Sequence, residues 1–246
     1  CIYNLASQSF VPSSWTQPIF TAQATGIGAL HVFEAARIVN PKIKIYQASS
    51  SEMFGTSTTP TQDENTPLLP NSPYGSAKVF AHHTAKNYRE AHDMFISCGI
   101  LFNHESERRG MQFVTKKIAS SVAEIVKGKR DLLHLGNMKA KRDWGFAGDY
   151  VQVMVKMLEH SNPDVFVVGT GQTHSVQDFV EAAFALVDLD WREYVRTDPN
   201  LFRQAEIESL CANSQKAHDI LGWKPTTSFA SLVERMVQFE LHRHSK

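Results

Sequence analysis

Tyr74 and Lys78 stand four residues apart in Ser72-Pro73-Tyr74-Gly75-Ser76-Ala77-Lys78, and Glu52 lies upstream in Ala48-Ser49-Ser50-Ser51-Glu52-Met53-Phe54-Gly55. On a helix, residues at i and i+4 share a face, so the ammonium can lie beside the phenol. A free phenol titrates near pH ~10, and a nearby positive charge favours its ionised form. Tyr74 is therefore a candidate acid/base at neutral pH. A serine hydroxyl at a strand end completes a donor set for an alcohol or carbonyl oxygen, and Glu52 adds a carboxylate able to move a second proton. A bare Tyr-x-x-x-Lys is common; the strand-to-helix setting and the upstream Ser/Glu group single this one out.

These side chains need a strand ending near Ser49 and a helix opening at Pro73. Ile2 to Ala6 reads as a short strand ending in Ser7-Gln8-Ser9, and Pro12 to Pro18 as loop. Ala22 to Val39 carries helical spacing (Ile27, Leu30, Val32-Phe33, Ala36), followed by a strand at Lys44–Ser49. Thr56 to Pro70 is a polar, Pro-containing surface loop near the site. A helix from Pro73 to about Ala91 and a strand from Ile96 to Phe102 follow. Alternating apolar strands and helices predict a parallel α/β sheet, in which ligands gather beyond the carboxyl ends of the strands. Ser7-Gln8, Ser49–Glu52 and Asn103-His104-Glu105 all fall at such ends.

After residue 105 the alternation loosens. Helices are expected over Phe113–Val126, from Ala147 with Asp149 in its first turn, over Val176–Val187 capped by Ser175 and Asp178, and from Ser228 onward. Short strands are expected at Leu132–Leu135 and Val165–Val168, and Gly222 closes a further helix. The expectation is a Rossmann-like parallel sheet domain over 1–105, its N-terminal strands missing. A smaller mixed substrate domain spans 106–246, some of its segments returning to the sheet.

Lys plus Arg and Asp plus Glu number 25 each, so no net field recruits nucleic acid or a membrane. There is no run of 18 apolar residues. Cys1, Cys98 and Cys211 are scattered and odd in number, which suits a reducing, cytoplasmic setting and gives neither a disulfide framework nor a metal motif. His82-His83, His242 and His244 lack a third ligand at a metal-binding spacing, so no metal is expected. The chain opens directly on a strand, without initiator Met, and carries no Gly-rich strand–turn–helix; a piece of a longer protein whose nucleotide half lies upstream is expected.

From Ile2 to about Glu240 the chain resembles the GDP-mannose 4,6-dehydratases of the extended short-chain dehydrogenase/reductase superfamily. Tyr3-Asn4-Leu5-Ala6-Ser7-Gln8-Ser9, the Ser/Glu segment and the Tyr/Lys segment carry the resemblance. Asn103-His104-Glu105-Ser106, Leu135-Gly136-Asn137, Lys141-Arg142-Asp143-Trp144-Gly145-Phe146-Ala147-Gly148-Asp149 and Leu221-Gly222-Trp223-Lys224-Pro225 narrow it.

The resemblance implies that GDP-D-mannose is oxidised at C4, eliminated across C5 and C6, and reduced at C6 by the same hydride. It implies NADP as cofactor and self-association as dimer or tetramer through helices near 22–39 and 74–91. Ser50, Glu52, Tyr74 and Lys78 would be catalytic. Tyr3, Asn4, Leu5, Ala6, Ser7, His104 and Arg109 would join Tyr74 and Lys78 around NADP. Ser51, Asn103, Lys117, Asn137, Arg142, Arg203 and Glu206 would face GDP-mannose. Arg142 either reaches the diphosphate or pairs with Asp143 or Asp149, and Arg203 either reaches it or forms an interdomain ion pair. Ser50 replaces a usual Thr, Glu107 and Gln204 replace usual prolines, and Phe10 replaces a frequent His. Two other readings stand beside this one: an NAD(P)-dependent nucleotide-sugar epimerase or reductase, with less use for Glu52, and a non-catalytic fragment.

Overall fold

The apolar runs pair side by side in a computed structural model of the chain, which describes residues 1–202 and 205–243. Strand β1 (Ile2–Asn4) precedes two short helices, α1 (Val11–Thr16) and α2 (Pro18–Thr21), a π-helical turn (Ala22–Ile27) and α3 (Gly28–Val39). Strand β2 (Ile45–Ser50) runs into one 3-10 turn (Ser51–Met53), a loop and α4 (Pro73–His92). Then come β3 (Ile96–Leu101), β4 (Asn103–Glu105), α5 (Val114–Val126), β5 (Leu133–Leu135), β6 (Lys141–Arg142), β7 (Trp144–Phe146) and α6 (Ala147–Glu159). The rest includes β8 (Val165–Val168), β9 (His174–Ser175), α7 (Val176–Ala185), α8 (Trp191–Tyr194) and β10 (Val195–Thr197). It ends with β11 (Ser209–Leu210), α9 (Gln215–Leu221) and α10 (Phe229–Arg243).

The main sheet has the order β1-β2-β3-β8 and is parallel throughout, so β8 returns from the second half to extend the first. Helices α3 and α4 bury Phe33, Ala36, Ala81 and Ala85 against Ile45, Ile96 and Cys98. On the opposite face α6 and α9 bury Val153, Met157, Ala217 and Leu221 against Tyr46, Leu101 and Phe166. Burial on both faces is why these strands are apolar runs rather than alternating ones. This is the expected α/β class with a Rossmann-like sheet. The second half adds small sheets, β4 with β7, β5 with β10, and β11-β6-β9. They surround a core of Ile118, Val122, Phe179, Phe184, Leu232 and Met236 between α5, α7 and α10.

One expectation fails locally. Pro12 to Pro18 is helical rather than loop, because Pro12 is the second residue of α1 and Pro18 the first of α2. There a missing N–H costs nothing and the fixed φ suits the helix. The other terminus signals hold. Ser175 and Asp178 form a reciprocal capping box, and Gly222 closes α9 with φ +60°. The loop after β2 seals the outer edge of β8, where Val167 N donates to Glu64 Oε1 at 2.6 Å. It starts at Gly55, where φ is +49° and an added Cβ would fall 1.9 Å from Leu69 O. No described helix is long and apolar enough to cross a membrane.

Candidate active site

The carboxyl end of β2 supplies one half of the site and the first turns of α4 the other. Ser72 caps α4 through Gly75 N at 3.0 Å, and Pro73 occupies the first turn. Gly75 brings the helix against the 51–53 turn; a Cβ there would sit 2.8 Å from Glu52 O. Tyr74 is consequently buried beside Ser50 and within electrostatic reach of Glu52 and Arg109. Glu52 is buried too, its backbone N donating to Ser50 Oγ at 3.3 Å.

Lys78 is buried one turn further along, its Nζ donating to Ala48 O at 2.9 Å and lying 5.8 Å from the Tyr74 ring centre. Ala48 O also accepts from Gln47 Nε2 at 3.1 Å, and Gln47 Oε1 accepts from Asn4 Nδ2 at 2.7 Å. A continuous polar chain thus joins β1, β2 and α4. An ammonium has three donors, and among the described residues one of Lys78's is engaged. Two are left over, enough for a pair of adjacent hydroxyls such as the ribose of a nucleotide carries.

The electrostatics correct one expectation. Lys78 does not bring the Tyr74 phenol down; burial pushes it up to about 12, Glu52 adds to the rise, and the Ser50 hydroxyl and Arg109 only partly oppose it. Burial also lowers the Lys78 ammonium to about 8. The low-dielectric setting disfavours both charges, and in this state Tyr74 is a neutral phenol.

His104 is the central residue of β4, its Nδ1 on Phe102 O at 2.8 Å and its ring stacked on Tyr150 at 5.1 Å. Burial holds its imidazole near 4, aided by the charges of Arg109 and Lys78. Arg109 pairs with Glu105 at 3.0 Å and stacks 3.5 Å over Phe113. Phe10 meets the same Phe113 ring edge-on at 5.5 Å. Tyr3 and Leu5 are exposed beside buried Asn4, and Ser7 Oγ lies 2.9 Å from Thr25 Oγ1.

The residues expected to face the sugar nucleotide form separate groups. Arg142 pairs with Glu206 at 3.2 Å and donates to Ile207 O at 2.7 Å, not to Asp143 or Asp149. Asp143 instead accepts from Thr170, Gly171 and Ala212, and Asp149 from Thr226 and Thr227. Asn103 lies in β4 opposite Trp144, and Ser51 is buried beside Glu52. Lys117 donates to His134 O at 2.6 Å, and Asn137 accepts from Lys139 N. Arg203 and Gln204 lie outside the described residues. Glu107, expected beside Arg108 and Arg109, pairs with Arg235 at 3.0 Å, which holds its carboxyl below the usual range.

Along the Tyr74 and Lys78 face of α4 lies a buried polar contact that the sequence did not suggest: His82 Nδ1 is 2.8 Å from Ser49 Oγ. Its one trace there is spacing, since His82 follows Lys78 by one more i+4 step.

The parallel sheet covered by helices on both faces, with Ser50, Tyr74 and Lys78 gathered towards the carboxyl end of β2, is a Rossmann-like α/β fold with a candidate acid/base centre. The family model for GDP-mannose 4,6 dehydratase matches residues 1–236. Over 244 residues the chain is 47% identical to GDP-mannose 4,6 dehydratase 2 of Arabidopsis thaliana, covering 98% of this chain and 65% of that one. It is 44% identical to GDP-mannose 4,6 dehydratase of Dictyostelium discoideum, covering 96% and 72%. Among solved structures, RMD of Pseudomonas aeruginosa complexed with NADPH matches with a TM-score of 0.90 at 21% identity, covering 98% and 81%. The chain belongs to the GDP-mannose 4,6-dehydratase family, and it spans about two thirds of the length of these curated relatives.

His82 generates a prediction. Burial, reinforced by His83, Arg89 and Lys86, holds its imidazole near 4, against ~6.5 for a free histidine. Between those values the unfolded chain binds a proton that the native chain refuses, so stability present above pH ~6.5 is lost as pH falls towards 4. In urea titrations from pH 7 to 4, His82→Asn is expected to flatten this loss by up to about 1.4 kcal/mol per pH unit.

Proposed function

We propose that the protein to which this chain belongs converts GDP-D-mannose to GDP-4-dehydro-6-deoxy-D-mannose and water, using NADP. Family membership supports the substrate. The observation that carries the chemistry is Glu52, two residues beyond Ser50 and packed against the opening of α4 beside Tyr74. A simple oxidation at C4 needs only the phenol; an elimination needs a second base. The NADPH bound by the RMD structure supports the cofactor.

In this reading Tyr74 takes the proton of the 4-hydroxyl while Ser50 polarises the same oxygen. When bound beside Tyr74 and Lys78, NADP would supply the hydride acceptor for C4 and, once reduced, the donor for C6, and the positive charge of its oxidised ring would favour the phenolate. Lys78 uses its remaining donors to hold the ribose. A ketone at C4 acidifies the C5 proton, which Glu52 removes as the 6-hydroxyl departs. Of the two protons taken from O4 and C5, one leaves on that hydroxyl as water and the other ends at C5. Arg142 offers a planar fork suited to a diphosphate, and Glu206, Ser51, Asn103, Lys117 and Asn137 complete the sugar-nucleotide side. Residues 1–105 then serve mainly the cofactor and 106–246 mainly the substrate.

Self-association belongs to the same reading. Ile19, Phe20, Ile27 and Phe80 are exposed on α2, the adjoining π turn and α4, with Phe80 against Gly26. Such a patch suits a second copy of the chain. Sedimentation is expected to find a dimer or larger assembly, and a monomer at tens of micromolar contradicts this assignment.

The enzymatic test uses a polypeptide of the relatives' full length with GDP-mannose and NADP+. NMR is expected to find a 6-methyl signal beside a C4 keto or hydrated centre, with no net NADPH. Glu52→Gln is expected to lower turnover at least a hundredfold, the scale of a lost general base. An unchanged sugar with cofactor bound overturns the substrate assignment.

A further inference from the structure

Helix α4 presents Tyr74, Lys78 and His82 on one face, each four residues from the last. All three reach strand β2: Tyr74 the Ser50 hydroxyl, Lys78 the Ala48 carbonyl at 2.9 Å, His82 the Ser49 hydroxyl at 2.8 Å. The first two belong to the reacting centre. The third does not, although both of its residues are buried.

The neighbouring surface explains what such a contact can do. Beside these polar positions α4 meets the sheet through Ala81 and Ala85, both buried. Short methyl side chains let a helix approach a strand closely, yet they interlock weakly and leave its axial position loosely defined. A hydrogen bond is directional and falls off within a few tenths of an ångström, so one buried bond can fix that position. Ser49 itself is held in the sheet's interior, where β2 pairs with β3 through Ser49 and Ile100.

We propose that His82 is a positioning residue: its bond to Ser49 fixes the height of α4 on β2, and thereby holds Lys78 dry over Ala48 and Tyr74 at Ser50. His82 touches neither substrate nor cofactor in this role. A shift of α4 along β2 by even ~1 Å lengthens the Lys78–Ala48 bond and admits water to the ammonium, while misplacing the phenol. The effect on turnover rests on the dehydratase reading; the effect on Lys78 does not.

The test compares Ser49→Ala, His82→Leu and His82→Asn in the intact chain. Leucine keeps much of the ring's bulk without the bond, asparagine keeps a polar atom near the Nδ1 position, and Ser49→Ala removes the same bond by a change too small to prevent folding. Heteronuclear NMR of lysine-labelled protein, without cofactor or substrate, follows the Lys78 titration. In Ser49→Ala and His82→Leu its midpoint is expected to rise by at least about half a pH unit towards the free value of ~10.4, and His82→Asn is expected to restore it. The two disruptive changes are expected to be non-additive when combined, since they break one bond. In a full-length enzyme the same variants should lose tenfold or more in kcat with little change in the KM for GDP-mannose. A Lys78 midpoint unmoved in the folded Ser49→Ala protein overturns the proposal, whatever happens to its thermal stability. A moved midpoint in a protein that never dehydrates GDP-mannose upholds the positioning role and sinks the functional reading instead.

Discussion

The docking of the first turns of α4 on the carboxyl end of β2 is the constraint on which the rest of the structure depends. Every group proposed to act on the sugar at C4 and C5 comes from these two segments, twenty-odd residues apart in sequence. The strand places Ser50 and Glu52, the helix Tyr74 and Lys78. Close approach is secured by absence of bulk, with Gly75 against the Glu52 carbonyl and alanines along the interface. The sheet holds the strand rigid: β2 pairs along its whole length with β3 and carries helices on both faces. Sites built on such elements hold their geometry better than sites built on loops.

That docking has an electrostatic consequence. Burial strong enough to exclude water also raises the Tyr74 phenol to about 12 and lowers the Lys78 ammonium to about 8. The phenol is not poised for proton transfer at neutral pH by the protein alone. The positive charge of an oxidised nicotinamide ring is the natural counterweight, because it favours the phenolate in the same low-dielectric space. Acid/base readiness would then be tied to cofactor binding, and a bare site would stay inert. The second half of the chain contributes differently. Arg142, Glu206 and the Ile207 carbonyl are joined in one cluster, so the guanidinium proposed to meet a diphosphate is already held in place.

Local patterns and end signals were legible in the sequence; long-range partners were not. Val165–Val168 was readable as a buried strand from four consecutive apolar residues, and the Ser175/Asp178 cap from spacing alone. That Tyr74 and Lys78 share a face of α4 was readable because i, i+4 spacing is a property of any helix. Pro12 and Pro18 misled, since the same residue breaks a helix in its interior and starts one at its first turn. Arg142 could have paired with adjacent acids, yet its carboxylate partner lies 64 residues away in Glu206. The sign of the Tyr74 shift was also beyond reach, because it depends on burial rather than on the charge one turn away. Glu107 is similar: a departure beside two arginines in sequence, it is satisfied by Arg235, 128 residues distant.

The central claim is that one site oxidises C4, eliminates across C5 and C6, and returns the same hydride to C6. It is tested most directly with GDP-mannose carrying deuterium at C4, incubated with the full-length enzyme and NADP+ in ordinary water. The account predicts one deuterium in the new 6-methyl group of the product and none in the solvent or in accumulated NADPH. Deuterium kept at C4, or lost to water or to free cofactor, contradicts it.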